Sequence, residues 1–180
     1  LTKLTVTQPA WLGKGRDASQ EQYDTLRLAC AWRIENARRS AKVDGGTRCM
    51  AEEIECLKRN GVALPDVRSS VMTASASADL DTSSSLTLRS GLNEVLLLHG
   101  VRPKALLAIL GNGLNERFSG TNAGAAFGNG AYCAEDLGKA DQYAQVDEHY
   151  EPGNELHQRL YGCSYPHPGR VHYAVVCRVA

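Results

Sequence analysis

Five histidines and several closely spaced glycines are the residues of this sequence whose type and spacing could support chemistry. Only one histidine, His99, ends an apolar run, Val95–Leu98, and directly precedes a glycine. An imidazole at that position could hydrogen-bond a ligand, although a histidine taken alone is more often a structural residue. A functional role for His99 can therefore be inferred only together with the motifs around it.

The glycine-rich stretches do not fit the common phosphate-binding loops. G-N-G at 111–113 and G-N-G at 128–130 lack the G-x-x-G continuation at a strand-to-helix turn, and the sequence has no G-K-[ST]. The sequence therefore does not indicate a Rossmann or a P-loop phosphate-binding site. H-E-x-x-H and G-x-S-x-G are also absent, which argues against a metalloprotease and an α/β-hydrolase.

Three motifs follow one another in the second half of the sequence. They are N-E-V-L-L-L-H-G at 93–100, I-L-G-N-G-L at 109–114, and F-G-N-G-A-Y-C-A at 127–134, the last followed by Lys139-Ala140 and Tyr143. In this order they resemble the His-Gly strand, the helix end before the donor loop and the F-G-x-G-x-Y-x-A…K-[SA]-x-x-Y block of the PARP-type ADP-ribosyltransferase family. L-N-E-R-F at 114–118 and A-F-G-N-G-A-Y-C-A-E-D at 126–136 also match a branch of that family. The resemblance covers about residues 92–180, with W-R-I-E-N at 32–36 as a weaker match upstream.

The resemblance implies an α+β fold in which two small, mostly antiparallel sheets surround an NAD⁺ cleft, with helices at the periphery. It also implies a transferase that uses NAD⁺ as co-substrate and no metal, breaks the nicotinamide–ribose bond and passes ADP-ribose to an acceptor. That bond breaks with oxocarbenium character, so the enzyme must hold nicotinamide rigidly, fix the ribose and stabilise the developing positive charge.

The residues that bind NAD⁺ by this resemblance are His99, Gly100, Tyr132, Ala134, Lys139 and Tyr143. The Gly100 backbone holds the nicotinamide amide, and glycine suits a main chain that a ligand approaches closely. His99 hydrogen-bonds a hydroxyl of the adenosine ribose. Tyr143 stacks on one face of the nicotinamide ring and Tyr132 lines the pocket on the other side of that ring, since flat aromatic faces suit a planar cation. The resemblance makes His99 and Tyr132 the catalytic residues and residues 114–128 the loop over the dinucleotide.

The sequence departs from the family at three points. Ala140 stands where a serine usually bonds the nicotinamide amide, which removes one hydrogen bond, about 0.5–1.5 kcal/mol net. Val101 replaces the usual serine or threonine after His-Gly. The family's third signature residue is a glutamate on a strand later than the one matched by Tyr173–Val179. We expect the sequence to be part of a longer chain; the alternative is a glutamate that comes from elsewhere.

Three functions stay open at this point. The first is an NAD⁺-dependent ADP-ribosyltransferase, the second a catalytically inactive module of the same fold that binds NAD⁺ or a partner, and the third an NAD⁺ glycohydrolase. We expect the acceptor to be a protein. Nucleic acid stays possible, although 20 Lys and Arg balance 20 Asp and Glu, and a zero net charge argues against a broad nucleic-acid surface.

Composition limits the class of protein. A chain of 180 residues suits one domain, and its apolar runs are far shorter than the ~20 residues of a membrane span, so neither a membrane anchor nor a retained signal peptide is expected. The six cysteines lack C-x₂-C or C-x₄-C spacing, which disfavours a zinc site. We expect reduced, half-buried cysteines in an intracellular protein of the cytoplasm or nucleus; disulfides in a secreted protein are the alternative.

Helical elements are predicted upstream of the motifs. Apolar spacing and a capping box at Ser19 predict a helix over 20–40, a break at Gly45-Gly46 and a second helix over about 47–59 that ends at Asn60-Gly61. The Ser/Ala/Thr-rich stretch 69–86 predicts a linker, which divides the chain into a helical segment, 1–90, and a catalytic core, 91–180. The helices are expected to pack on the core through Leu26, Ile34, Met50, Ile54 and Leu57.

Strands and helices alternate in the core. Val95–Leu98 predicts a buried strand, and the alternation of Val171–Val179 predicts a strand with one well-buried face. Further elements predicted here are a helix from Pro103, a loop over 119–131, a short strand over 131–134, a helix capped by Asp136 whose inner face carries Ala140, Tyr143 and Ala144, and a helix over 155–161. We expect the His99 strand and the Tyr132 strand to be close in space.

Overall fold

The computed structural model describes residues 7, 12, 23, 25–65, 88–115, 128–162 and 165–180. In chain order its elements are α1 (Ala37–Arg59), a single 3₁₀ turn (Ser90–Leu92), β1 (Val95–Val101), α2 (Pro103–Asn112), α3 (Leu137–Asp141), α4 (Glu155–Tyr161) and β2 (Tyr173–Val179). In these ranges no helix combines the length and the apolar character needed to cross a bilayer. The predicted linker 69–86 and most of the loop 119–131 lie outside the described residues.

β1 and β2 pair antiparallel along their full lengths, from Val95 opposite Val179 to Val101 opposite Tyr173. Along β2 the side chains alternate between a more buried and an exposed face, as the sequence predicts. β1 is longer than predicted and contains His99 and Gly100 instead of ending at them. The helices and this antiparallel pair confirm the expected α+β class.

Two isolated bridges extend the pairing beyond the two-stranded sheet. Leu98 pairs with Ala134, and Asp147 pairs with Val171, both in the antiparallel sense. The short strand predicted over 131–134 is therefore reduced to one paired residue. β2 begins at Tyr173 and not at Val171, because Val171 pairs with a different segment. Within the described ranges the second sheet is represented only by these bridges.

The main core lies where β1 and β2 meet the two neighbouring helices. Its buried members are Val101, Leu106, Leu156, Tyr161 and Tyr173. The helix from Pro103 supplies Leu106, and the helix over 155–161 forms with the bounds predicted for it. Asn154 caps that helix by accepting a hydrogen bond from the Leu156 N–H at 3.0 Å.

A buried carboxylate connects this core to the segment before α4. The Asp147 Oδ2 atom accepts hydrogen bonds from the Tyr173 hydroxyl at 2.7 Å and from His157 Nε2 at 2.8 Å. Since the Tyr173 proton goes to Asp147, the Tyr161 hydroxyl donates to the Tyr173 oxygen, 3.0 Å away. The His157 side chain is 1% exposed and the Asp147 side chain 10%. The network thus links three segments of the core.

The helix predicted over 20–40 is wrong over residues 25–36, which are irregular. Helix α1 begins after Asn36, whose side-chain oxygen accepts a hydrogen bond from the Arg39 N–H at 3.2 Å. The same amide donates to the Gly111 carbonyl at 3.1 Å. Trp32 packs edge-on against Tyr161, with ring centroids 5.6 Å apart. Tertiary contacts therefore override the local helical pattern in this stretch.

Helix α1 also continues through Gly45 and Gly46, where a break was predicted. Two interior glycines cost about 1 kcal/mol each relative to alanine. Next to them, the Arg89 side chain hydrogen-bonds Thr47 and pairs with Asp44 at 3.0 Å. These bonds attach the glycine turn of the helix to the 3₁₀ turn before β1. The predicted end of the helix at Asn60-Gly61 is confirmed.

Among the described residues, α1 is attached to the core through hydrogen bonds and ion pairs. The apolar residues that were predicted to pack there are exposed or half-buried. Ile34 is 49% exposed and Leu57 is 40% exposed, so neither is a main packing residue. Leu26, Met50 and Ile54 are only half-buried. Asn36 and Arg39 instead bond carbonyls at the end of α2, and Arg89, before β1, bonds Thr47 of α1.

We predict that Asp147→Asn lowers the free energy of unfolding by about 1–3 kcal/mol, since it weakens bonds from two buried donors to a charged acceptor. Asp44→Asn is the matched control, because its ion pair with Arg89 is exposed and is worth about 0–1 kcal/mol. Urea unfolding measures both. Equal losses would contradict the structural weight given to Asp147.

The Asp147 variant should also change the pH dependence of stability. Burial by itself raises the pKa of Asp147, but the hydrogen bonds from Tyr173 and His157 hold it below its ordinary value. A depressed pKa stabilises the fold above about pH 4, and this contribution is lost as pH falls through the folded-state pKa. Asp147→Asn should remove that part of the acid destabilisation, while Asp44→Asn should leave it in place.

Candidate active site

The pairing of β1 sets the direction in which the N–H and C=O of Gly100 point. The Leu98 N–H donates to the Ala134 carbonyl and the Ala134 N–H donates to the Leu98 carbonyl, both at 2.7 Å. In an antiparallel strand, the N–H and C=O of one residue point to the same edge of the strand. The N–H and C=O of the residue two positions later point to that same edge. The N–H and C=O of Gly100 therefore point away from β2, towards the edge along which Ala134 lies.

His99 is held against the same edge. Its Nδ1 atom lies 2.7 Å from the Tyr132 carbonyl oxygen, which can only accept, so Nδ1 carries a proton and donates. This leaves Nε2 for the neighbouring thiol of Cys133 or for a ligand. The neighbouring Cys133 thiol is the largest cause that raises the pKa of His99; the hydrogen bond to the Tyr132 carbonyl adds to it, and burial opposes both. The ring therefore keeps a second proton to higher pH than an ordinary histidine.

Tyr132 is fixed at both ends. Its carbonyl accepts a hydrogen bond from His99 Nδ1, and its hydroxyl donates a hydrogen bond to the Gly128 carbonyl at 2.6 Å. Gly128 has φ of +92°, a conformation that glycine adopts without strain. The Tyr132 residue is 38% exposed, so part of it stays available to a ligand.

Helix α3 packs directly on Gly100. The Asp136 side chain caps the helix by accepting from the Gly138 N–H at 2.7 Å, as the sequence predicts. A Cβ atom at position 100 would lie 1.9 Å from the Ala140 carbonyl oxygen and 3.2 Å from the Ala144 nitrogen. Position 100 therefore needs glycine for helix packing, a reason beyond the ligand approach considered in the sequence.

This packing places Tyr143 beside Gly100. The Tyr143 N–H donates to the Ala140 carbonyl at 3.0 Å, in the turn that contacts Gly100. Ala140 and Ala144 are buried, as predicted, but the prediction that Tyr143 shares the inner face of the helix is wrong: Tyr143 is 52% exposed and lies beyond α3, which ends at Asp141. The Lys139 ammonium lies 5.5 Å from the centroid of the Tyr143 ring, a cation–π contact.

The structure thus brings the six sequence-predicted residues to two adjoining elements. His99 and Gly100 lie in β1, next to Tyr132 and Ala134, and the α3 region presents Lys139 and Tyr143. The expected closeness of His99 and Tyr132 is confirmed by their hydrogen bond. The arrangement offers one donor, one acceptor, an imidazole and a half-exposed aromatic ring along one edge.

A family model described as the poly(ADP-ribose) polymerase catalytic domain matches residues 42–179, well over half of the chain. The chain belongs to this PARP family. No curated protein matches the chain significantly. The family match starts inside α1, upstream of the resemblance first seen over about 92–180, while the predicted division near residue 90 stays a prediction.

The family supports an ADP-ribosyltransferase fold and NAD⁺ as the substrate of such domains. The site residues fit that substrate chemically. A carboxamide carries one acceptor and two donors, which matches the N–H and C=O of Gly100 on one edge. The ring of Tyr143 offers a face for a planar cation. The individual roles of these residues stay predictions.

Sequence reasoning missed two thiols of this PARP-family site. Cys133 follows Tyr132 and lies across from His99, because Leu98 pairs with Ala134; Cys177 on β2 points to the same face of the sheet. The Cys177 thiol, and after it His99, lower the pKa of the Cys133 thiol, while burial opposes them. A cysteine between Tyr132 and Ala134 was visible in the sequence, but the face that it shares with Cys177 depends on the register of β1 and β2. The five described cysteines are all free.

A cluster of Asp147, His157 and His167 brings three possible ligand atoms within 4.8 Å of one another. Its hydrogen bonds do not fit a metal. The Nδ1 atom of His157 accepts from the Glu151 N–H at 2.8 Å, and that of His167 accepts from the Gly169 N–H at 3.2 Å. Since the lone pair of each Nδ1 is used by a backbone N–H, the proton of each ring is on Nε2, the atom that faces Asp147, which leaves no lone pair there for a metal.

We predict that Gly100→Ala lowers stability by about 1–3 kcal/mol, because the new Cβ displaces the α3 backbone. Tyr143 moves with that backbone, so NAD⁺ binding should weaken as well. Gly111→Ala is the control: it lies in helix α2 with nothing within 4 Å of its new Cβ, and it should be neutral or stabilising. Thermal unfolding and calorimetric titration with NAD⁺ measure the two effects. A Gly100 variant as stable as the Gly111 variant would contradict this packing.

Proposed function

We propose that this PARP-family chain is an NAD⁺-dependent ADP-ribosyltransferase that cleaves the nicotinamide–ribose bond and transfers ADP-ribose to an acceptor. The observation that carries the proposal is the edge of β1, where the Gly100 donor and acceptor point away from β2 and lie beside His99. Within a chain that matches the PARP catalytic domain, this combination suits the nicotinamide end of NAD⁺.

In this proposal Gly100 and Tyr143 hold the leaving group. The Gly100 N–H donates to the carboxamide oxygen of nicotinamide, and the Gly100 carbonyl accepts from its NH₂ group. The half-exposed Tyr143 ring stacks on the pyridinium, and Tyr132 limits the pocket on the other side. A nicotinamide held in one orientation leaves along one path when the glycosidic bond breaks, which lowers the entropic part of the barrier.

His99 and Lys139 act on the rest of NAD⁺ in this proposal. Nε2 of His99 hydrogen-bonds a hydroxyl of the adenosine ribose, while the Tyr132 carbonyl fixes the ring through Nδ1. A fixed ring loses little entropy when the ribose binds. The ammonium of Lys139 gives the pocket a positive charge that attracts the diphosphate. We propose a protein as the acceptor and the cytoplasm or nucleus as the place of action.

Ala140 favours a second candidate, a module that binds NAD⁺ or a partner without turnover. By the family resemblance Ala140 stands in place of the serine that bonds the carboxamide, and its 2% exposure and the contact of its carbonyl with Gly100 support this correspondence. Without that hydroxyl the nicotinamide loses one hydrogen bond, about 1 kcal/mol. Weaker orientation of the leaving group slows bond cleavage more than it weakens binding.

We predict that Tyr143→Ala weakens NAD⁺ binding by about 1–3 kcal/mol, roughly 5- to 150-fold, by analogy with the alanine cost of base–aromatic stacking. Tyr143→Phe keeps the ring and should bind almost normally. Tyr165→Ala removes another exposed tyrosine, whose hydroxyl donates to the Ala29 carbonyl at 3.2 Å, and should leave the NAD⁺ affinity unchanged. Calorimetric titration measures the affinity. Equal effects of the Tyr143 and Tyr165 alanine variants would contradict stacking at this site.

Nicotinamide release by the natural protein, with and without a protein acceptor, tests the activity. Release that rises with acceptor, together with ADP-ribose on the acceptor, supports the transferase. Equal release without acceptor indicates an NAD⁺ glycohydrolase, and binding without release indicates the binding module.

His99→Ala should reduce release by at least tenfold with little loss of stability, because a misoriented ribose reacts slowly. His149→Ala is the matched control, since the His149 side chain is 73% exposed. Full release from the His99 variant would contradict its role.

A further inference from the structure

Helix α3 carries Lys139 of the candidate site and leads into Tyr143, yet it has only five residues. Isolated helices shorter than about 12 residues are marginal in water, so contacts from elsewhere in the chain must hold such a short helix in place. Gly100 packs against its fourth residue, Ala140. The position of Tyr143 therefore also depends on what fixes the two ends of α3.

The first end of α3 is held through the buried carboxylate of its N-cap residue, Asp136, which is 3% exposed. The Thr7 hydroxyl donates to Asp136 Oδ1 and accepts from the Gly138 N–H at 3.0 Å, so it bonds both the cap and the first turn. Asp136 Oδ2 is buried with no hydrogen-bond partner among the described residues. Without Thr7, only the described bond from Gly138 to this buried carboxylate would remain, which is unfavourable.

The second end of α3 is its last residue, Asp141, which is also 3% exposed. The Asp141 Oδ2 atom accepts a hydrogen bond from the Tyr23 hydroxyl. The Tyr23 ring lies beside the His172 ring, with centroids 5.5 Å apart. His172 directly precedes β2, in which Ala174 pairs with Gly100. Tyr23 therefore connects the end of α3 to the sheet against which the helix packs.

Both hydroxyl groups come from outside the part of the chain that matches the PARP catalytic domain. The match covers residues 42–179, and Thr7 and Tyr23 precede it. Their hydrogen bonds to α3 span 129 and 118 positions of the chain. Two buried carboxylates inside the family domain thus accept hydrogen bonds from residues upstream of it.

We propose that Thr7 and Tyr23 are positioning residues for nicotinamide, so that residues upstream of the family match contribute to the NAD⁺ site. They act through α3, because their hydroxyls fix the two ends of the helix and so the place of Tyr143. This inference rests on the proposed function, in which Tyr143 stacks on the pyridinium. A displacement of about 1 Å in a reactive site can cost about 100-fold in rate, so bonds that never touch the substrate still matter.

Tyr23→Phe removes the hydroxyl and keeps the ring. The variant should raise the Kd and the KM for NAD⁺ at least fivefold, because Tyr143 is no longer held in its stacking position. Tyr165→Phe is the matched control: its hydroxyl also connects the upstream part of the chain to the core, through the Ala29 carbonyl at 3.2 Å, and this bond does not involve α3. Calorimetric titration and nicotinamide release measure both variants. An unchanged Kd in Tyr23→Phe, or an equal rise in Tyr165→Phe, would overturn the proposal.

A double-mutant cycle separates positioning from a general loss of stability. Since Tyr23 acts on nicotinamide through Tyr143, Tyr23→Phe should change the Kd for NAD⁺ less than twofold in a chain that already carries Tyr143→Ala. A general loss of stability would instead lower the melting temperature and the active fraction equally in both backgrounds, with the Kd unchanged. Additive effects of the two substitutions on the Kd would also contradict the proposal.

Thr7 offers a test by conservative rescue. Thr7→Val keeps the shape of the side chain without its hydroxyl, whereas Thr7→Ser keeps the hydroxyl. The valine variant should raise the Kd for NAD⁺ at least threefold and speed amide hydrogen exchange across residues 137–143, and the serine variant should behave like the unaltered chain. Exchange across α1 serves as the internal control and should not change. A serine variant as impaired as the valine variant would exclude a role for the Thr7 hydroxyl.

Hydrogen exchange also distinguishes the failure of this inference from the failure of the proposed function. If the chain binds no NAD⁺ but Tyr23→Phe speeds exchange across residues 137–143 more than Tyr165→Phe does, the hold of Tyr23 on α3 stands and the function proposed for the pocket fails. If NAD⁺ binds and neither exchange nor Kd responds to Tyr23→Phe, the proposed function stands and this inference fails.

Discussion

Strand β1 has a hydrogen-bonding partner on each edge, and the candidate site depends on that arrangement. β2 covers one edge along seven residues, while the described pairing on the other edge is the single bridge between Leu98 and Ala134. Two residues beyond that bridge, the N–H and C=O of Gly100 point to the same edge. A longer ladder on this edge would satisfy those groups internally, and a shorter one would leave His99 without Tyr132.

The rest of the fold keeps β1 in this position. On one face, α3 packs so tightly against Gly100 that no side chain fits, and this contact brings Tyr143 to the site. At the end of the sheet, the buried Asp147 accepts from His157 and Tyr173 and joins α4 to β2. Polar contacts from α1 add the upstream helix to the same body. Contacts from α3, from the Asp147 network and from α1 thus hold the edge of β1 that carries the candidate site.

The orientation of the His99 ring is set by the protein itself. Its Nδ1 atom is committed to the Tyr132 carbonyl, which leaves Nε2 as the nitrogen that can bind another group. In the proposed function that group is a ribose hydroxyl, and a ring that is already fixed loses little entropy when it binds.

The sequence by itself determined the local features: the helix from Pro103, the cap at Asp136, the alternation of β2 and the family motifs around His99 and Tyr132. These follow from periodicity and cap chemistry, which act within a few residues. Only the tertiary structure decided that α1 begins at Ala37 and passes through Gly45, because contacts from Arg89 and the α2 end outweigh local propensity. The placement of Cys133 and Cys177 on one face of the sheet was likewise beyond the sequence, since a strand register is fixed by which side chains pack across it, and those residues are 44 positions apart.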